Sequence, residues 1–284
     1  MESGRSKRAE SFRAGMPHPL PPDRSGRPYF QTSRGVDNLN TYRKLKPNSF
    51  VIYPYKNENG NINFVDIQTL RRDYPETFSF LGTYKSRLEG RDIKPEPETE
   101  NEWYRFGRHQ SLDKCDVPAK IVVGVLSQGD KYAIDTNHTF ISSGGTAGYC
   151  MITMPERTPY SIYYIQALLN SKYSEWFASL YGEVFRGGFI ARGTKVLKKL
   201  PIRKIDFENI DEKTLHDDIA LLQQELIQLQ ESIDNTQNNN RRLIPLQRQF
   251  SMKKREMDLL LKRLYNLGEE DSLIPKINES YGAD

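Results

Sequence analysis

Apolar residues recur three and four apart downstream of Tyr160, at Ile162, Ile165, Leu168, Leu169, Tyr173, Trp176, Phe177 and Leu180. This period predicts one amphipathic helix, ended by Gly182. The period then stops. Arg186, the pair Gly187 and Gly188, and the cations Arg192, Lys195, Lys198 and Lys199 follow, ahead of Leu200-Pro201-Ile202, which reads as a strand start. A buried helix thus hands the chain to an exposed basic loop, the arrangement by which a scaffold offers cations to a polyanion.

Beyond Lys204 the spacing becomes heptad. Leu215, Ile219, Leu222, Leu226, Leu229 and Ile233 form one seam. The polar link Asn235 to Asn240 interrupts it, and Leu243, Leu246, Phe250, Lys253, Met257, Leu260, Leu264 and Leu267 form a second, with Pro245 tolerated in the first turn. Two helices of about 24 residues, each roughly 36 Å long, joined by so short a link pack antiparallel. Lys253 breaks the apolar rule and is expected to snorkel to solvent or to meet a carboxylate, which could belong to a partner protein.

Upstream, the pattern is mostly that of strands. Ser49 to Tyr55 and Ile62 to Ile67 flank Asn57-Glu58-Asn59-Gly60 as a hairpin; Ile67 to Arg91 reads as a helix interrupted at Tyr74-Pro75, with Lys85, Arg87 and Arg91 on its polar side. Trp103 to Gln110 alternates aromatics with cations and an amide. As a strand it would put Trp103, Arg105, Gly107 and His109 on one face and Tyr104, Phe106, Arg108 and Gln110 on the other. Arg and Gln in such a strand can pair with base edges, or Arg can cap aromatics of a sheet core. Lys120 to Leu126 is the most continuous apolar run and predicts a strand buried on both faces. Lys131 to Asp135 and His138 to Ser142 read as a hairpin turning at Asp135-Thr136-Asn137, Ser142 to Gly148 as a turn, and Tyr149 to Met154 as a further strand. The expected class is α+β: a mixed, mostly antiparallel β-rich lobe over 29–205, then a coiled-coil-like helical hairpin over 206–284. Residues 1–28, rich in Pro and Arg, are expected to be a disordered arm.

Charge sharpens this division. The net +4 combines 31 Lys+Arg against 21 Asp+Glu up to residue 205 with 10 against 16 beyond it. A polyanion should meet the front, and the tail suits protein contacts. No apolar run approaches a membrane span and no secretory apolar core follows the N-terminus, so a cytoplasmic protein is expected. Cys115 and Cys150 are too few for a disulfide framework, and His18, His109, His138 and His216 share no ligand spacing. Tyr53-Pro54-Tyr55 lacks the Asn or Asp and second proline of an adenine methyltransferase loop. Asp92-Ile93-Lys94 lacks the upstream carboxylate of a nuclease, and Ser142 to Gly148 lacks the Gly-Lys of a P-loop.

The ordered series of helix, Leu169-Asn170-Ser171, basic Gly-rich loop and Leu200-Pro201-Ile202, with the Trp103…Gly107-Arg108…Gln110 segment and the tail from Lys253 to Asp271, resembles the TaqI-like C-terminal specificity domain of type IIG restriction-modification enzymes and adenine methyltransferases. A more distant similarity runs to type I specificity subunits. The resemblance covers about Val51 to Ile274 and implies sequence-specific recognition of double-stranded DNA for a methyltransferase whose catalytic domain these residues do not include. S-adenosylmethionine, and Mg2+ for any cleavage, would be used only there. Arg105, Arg108, Gln110 and Gln128 are the candidates for base edges; Lys85, Arg87, Lys131, Arg186, Arg192, Lys195 and Lys198 are those for phosphates. The helical hairpin would be spacer and docking element for a methyltransferase or restriction subunit. Two rivals stand beside this reading: a C-terminal piece of a split or truncated enzyme, and a coiled-coil interaction module with no DNA role.

Overall fold

The computed structural model describes residues 29–32, 39–58, 61–108, 112, 117, 119–128, 132–141, 148–236 and 240–268. In chain order the elements are β1 (Tyr29–Thr32), β2 (Ser49–Ile52), β3 (Tyr55–Glu58), β4 (Asn61–Phe64), α1 (Ile67–Asp73), α2 (Pro75–Gly82), α3 (Lys85–Glu89), β5 (Lys120–Gly124), β6 (Leu126–Ser127), β7 (Tyr132–Asp135), β8 (Tyr149–Thr153), α4 (Ile162–Leu169), α5 (Lys172–Tyr181), β9 (Val184–Phe185), β10 (Phe189–Ala191), α6 (Thr194–Leu197), α7 (Ile210–Asn235) and α8 (Asn240–Leu264). The fold is α+β. Its strands form four small sheets, β1-β2, β3-β4, β7-β5-β8 and β6-β10-β9, and each pairing is antiparallel.

β5 is buried at every position, and period two explains how. Val122 faces Leu39, Leu45, Ala133 and Ile141, while Ile121 and Val123 face Tyr132, Leu169 and Leu200 on the other side. Even Lys120 is fully enclosed, its ammonium 2.9 Å from the equally buried Asp135. The second Asp135 oxygen and the first between them take Asn137 N–H, Thr139 N–H and the Thr139 hydroxyl. That commitment redirects the chain, so residues 136–141 do not return along β7 as the expected hairpin; β7 pairs with β5 instead. Ser142 itself lies outside the described residues.

The expected strand Ser49 to Tyr55 is two strands. Its first part pairs with β1, and after Tyr53-Pro54, where proline supplies no ladder donor, the chain re-forms as the β3-β4 hairpin. The Ile67 to Arg91 helix breaks before Pro75 as expected and again at Thr83-Tyr84. The single helix expected from Ile162 to Leu180 is broken at Asn170-Ser171. Asn170 closes α4 and its amide donates to Tyr132 O at 3.0 Å, while the Ser171 hydroxyl caps α5 by accepting from Ser174 N–H at 3.2 Å. Apolar periodicity runs through the break because both helices pack on the same core. Leu200-Pro201-Ile202 is a turning connection rather than a strand, with Ile202 N–H donating back to Leu200 O at 2.9 Å and Leu200 buried.

α7 and α8 form the expected hairpin, and residues 225 and 253, equally far from a link centred on 239, are joined by a Glu225–Lys253 ion pair. Lys253 therefore meets a carboxylate of its own chain. The seam does not stand alone. Tyr164, Ala167, Leu168 and Tyr173 share one core with Leu215, Ile219, Leu226, Met257 and Leu261, so packing is continuous across the 205/206 boundary. Buried amides key the two parts together: Gln223 donates to Gln166 Oε1 at 3.1 Å, and Gln166 donates to Thr41 O and Tyr132 O at 3.0 Å each. Such a satisfied network inside an apolar core tolerates little change of register.

Candidate nucleic-acid interface

Between α5 and α6 the chain makes a short ribbon of β9 and β10, whose inner strand pairs on with β6. Gly182 brings α5 directly against it. A Cβ there would lie 2.6 Å from Ile190 Cγ2 and 2.8 Å from the carbonyls of Ala178 and Ala191, so only hydrogen fits. Phe185 pairs with Phe189 across the ribbon, and Arg186, Gly187 and Gly188 turn between them with φ of 83° and 73° at the two glycines. Pairing β10 to β6, Ile190 against Ser127, holds the ribbon's inner edge.

Arg192 is the anchor. It is fully buried and its guanidinium pairs with buried Glu175 of α5, while its other η-nitrogen donates to Ser127 O, to Ser127 Oγ at 3.0 Å and to Ile190 O at 3.2 Å. One side chain thus ties α5, β6 and β10 at the ribbon's base. Arg192 was expected among the phosphate ligands; enclosed and paired, it cannot reach a phosphate. Arg186, Lys195 and Lys198, in contrast, are exposed and make no ion pair among the described contacts. Lys199 stands 5.1 Å over the Tyr181 ring, which stacks on Phe177 at 4.5 Å. The tip and α6 therefore present cations and aromatics from one short stretch of chain.

The segment from Trp103 behaves differently. After a 3-10 turn at Glu100–Glu102, residues 103–105 are turn rather than strand, and Trp103 and Tyr104 are buried together, against period two. Both pack on Val65, Leu70 and Leu81, and Tyr104 donates to Val65 O at 2.6 Å, with burial raising its phenol well above the usual range. Arg105 is ion-paired with Glu102, both largely covered. Arg108 pairs with Asp92 at 2.7 Å, holding that carboxyl below its usual range, and also donates to Asp92 O. Arg91 donates to the carbonyls of Trp103 and Arg105. The expected strand is instead a turn in which guanidiniums hold the chain's own backbone, with Arg105 largely covered by its pairing to Glu102 and Arg108 engaged at the surface.

Residues 38–202 match the TaqI-like C-terminal specificity domain. The chain belongs to that family. The type II restriction enzyme and methyltransferase RM.Eco57I of Escherichia coli is 50% identical over 258 residues, which are 90% of this chain and 26% of that protein. The chain thus spans about a quarter of that relative's length.

Within this specificity domain the other candidates are dispersed. Lys85 pairs with Glu89 at 3.3 Å on α3 and leans over Trp103, and Arg87 is exposed on the same helix. Gln128 is exposed, but its amide nitrogen donates to Gly187 O, so it braces the ribbon's turn. Gln110 and Lys131 lie outside the described residues. Among the described candidates, Gln128 is joined to the ribbon's turn, and Arg186, Lys195 and Lys198 follow one another along the ribbon and α6. Phe185 and Phe189, 43% and 37% exposed, were not singled out from sequence. The string Phe185-Arg186-Gly187-Gly188-Phe189 held the signal, since glycines between two like aromatics mark a hairpin tip with a cross-strand pair.

The hairpin following the family match also divides by charge. Residues 206–236 carry 1 Lys+Arg against 9 Asp+Glu, whereas 240–264 carry 8 against 2. The acidic balance of the tail thus conceals a basic α8, whose Arg241, Arg248 and Arg255 recur every seven residues on exposed positions beside exposed Met252 and Leu259. Among the described residues no helix is long and apolar enough to cross a membrane, and no three His, Cys, Asp or Glu side chains group as metal ligands. Burial pushes the Cys150 thiol up to about 11.

Proposed function

We propose that this chain is the DNA target-recognition part of a restriction-modification enzyme, serving an adenine-specific DNA methyltransferase whose catalytic machinery lies outside these residues. The observation that carries the proposal is the ribbon with α6. Arg186, Lys195 and Lys198 are exposed and uncommitted beside an aromatic tip, on a base fixed by the buried Glu175–Arg192 pair, inside the stretch that matches a specificity domain. The hairpin tip at the edge of the β6-β10-β9 sheet is the part that would enter the DNA major groove, and cations on the following helix can hold the phosphates that border it. S-adenosylmethionine, and Mg2+ for cleavage, would be bound by the catalytic part.

The relative's name joins restriction and methylation in one protein, which supports a specificity role for the quarter of it that this chain resembles. The basic, apolar-striped outer face of α8 is the surface we assign to docking of the catalytic part, because arginine and methionine are favoured at interfaces. Duplex binding by the purified chain tests the first reading: affinity should fall steeply with salt through counterion release, and equal affinity at low and high salt would remove it. For docking, charge reversal at Arg248 and Arg255 should abolish copurification with a co-expressed methyltransferase part while leaving duplex binding intact.

A further inference from the structure

The ribbon's tip exposes apolar surface that its fold does not require. Ile190 points inward and is buried, so the opposite side of the ribbon carries the directly paired Phe185 and Phe189 outward. Neither ring is drawn into a core, although Val184, Leu180 and Tyr181 nearby are also more than half exposed. Phe189 lies over Gly187, whose absent Cβ would sit 3.7 Å from the ring, and the left-handed turn at Gly187 keeps the two aromatics at the apex rather than folded back. The only charge at the apex is Arg186. The apex is therefore an aromatic pair around a single cation, not a cluster of hydrogen-bonding groups; the amide of Gln128 beside it uses a donor to brace Gly187 O.

Resting on the DNA-recognition reading above, we infer that Phe185 and Phe189 read thymine through its C5-methyl group. Of the features that base pairs present in the major groove, the thymine methyl is the apolar one, and an aromatic edge is among the groups that contact it. An apex rich in amides or guanidiniums would suit guanine or adenine edges. This apex, with two exposed phenylalanines and Arg186 between them in sequence, complements a methyl group beside a phosphate. Phe185 and Phe189 thus set sequence preference at one or two adjacent positions of the site, whereas Lys195 and Lys198 set affinity.

The test uses the full chain and the duplex that it enriches most from a random pool, resynthesised with deoxyuridine in place of each thymidine in turn. The wild-type chain should lose about three- to five-fold in affinity per methyl read, the amount expected for one buried methyl. Phe185→Ser and Phe189→Ser should bind thymine and uracil duplexes alike, and Phe185→Leu, which keeps an apolar contact, should retain part of the difference. Equal binding of the two duplexes by the wild type, or a thymine preference that survives both serine variants, overturns the inference and leaves DNA recognition standing. If the pool yields no enriched duplex, the DNA reading and this inference fall together. Circular dichroism and melting of each variant separate loss of the ribbon from loss of contact.

Discussion

Two stretches of this chain pair arginines with aromatics, and the fold uses them in opposite ways. Around Trp103 the rings are buried and Arg91, Arg105 and Arg108 are spent on Glu102, Asp92 and backbone carbonyls. Around Gly187 the rings are exposed and Arg186, Lys195 and Lys198 are left to solvent, while Arg192 is enclosed and paired with Glu175. The lesson is that a cation's composition and neighbours in sequence say little about its availability. Whether a carboxylate is paired to it decides that, and in the second stretch the carboxylate that takes a partner, Glu175, is buried and takes Arg192.

The largest expected effect tests that anchor. Arg192→Met should lower the stability of the chain by about 3–5 kcal/mol, since it leaves the buried Glu175 carboxylate without its partner. The double variant Glu175→Gln with Arg192→Met should recover much of that loss in thermal or urea unfolding. If Arg192→Met melts like the wild type, the residue is not the anchor described here.

Next comes the exposed set. Replacing Arg186, Lys195 and Lys198 together by Ala should flatten the slope of log affinity against log salt by about 0.9 for each phosphate contact removed, with stability changed by no more than about 0.5 kcal/mol. An unchanged slope would take the ribbon and α6 out of the DNA interface and erase the contrast between the two stretches.

Arg105→Ala should cost about 1–3 kcal/mol through the lost charged hydrogen bond, and leave the selected DNA sequence as in the wild type. A changed sequence preference in a variant of normal stability would return Arg105 to the base-reading group.

The smallest effect concerns a tie between the lobe and the hairpin. The Arg43 guanidinium binds both oxygens of Asp234, at 2.6 and 2.7 Å, and this hydrogen-bonded contact lowers the Asp234 carboxyl below its ordinary value. A carboxyl lowered on folding contributes stability above its unfolded pKa of about 3.9, and that contribution disappears as pH falls through the lower folded value. With Arg43 partly exposed, solvent screening limits it to about 0.5 kcal/mol. Asp234→Asn should therefore melt slightly below the wild type at pH 7, and the gap should close on acidification below pH 4. A gap that persists or widens in acid would assign the effect to packing.

Much of the architecture was legible because it rests on local period. The heptads of α7 and α8, the doubly buried β5 and the break before Pro75 all follow from spacing within a few turns or strand steps. The break at Asn170-Ser171 was not, although its capping residues were visible, since apolar spacing continued across it and the decisive hydrogen bond to Tyr132 O spans 38 residues. The β5–β7 pairing was likewise hidden, because the Asp135 side chain satisfies the backbone that a local hairpin would have used.

For the candidate site, the sequence by itself determined that residues 186–199 carry cations and glycines after a helix, and that Phe185 and Phe189 flank them. Only the tertiary structure decided which cations remain free and that the two phenylalanines face outward as a pair. Charge and hydropathy are written residue by residue, but burial belongs to pairs of surfaces. Arg192 is withdrawn from solvent by a glutamate 17 positions earlier, whereas Phe185 stays exposed while Ile190, on the ribbon's other face, is buried.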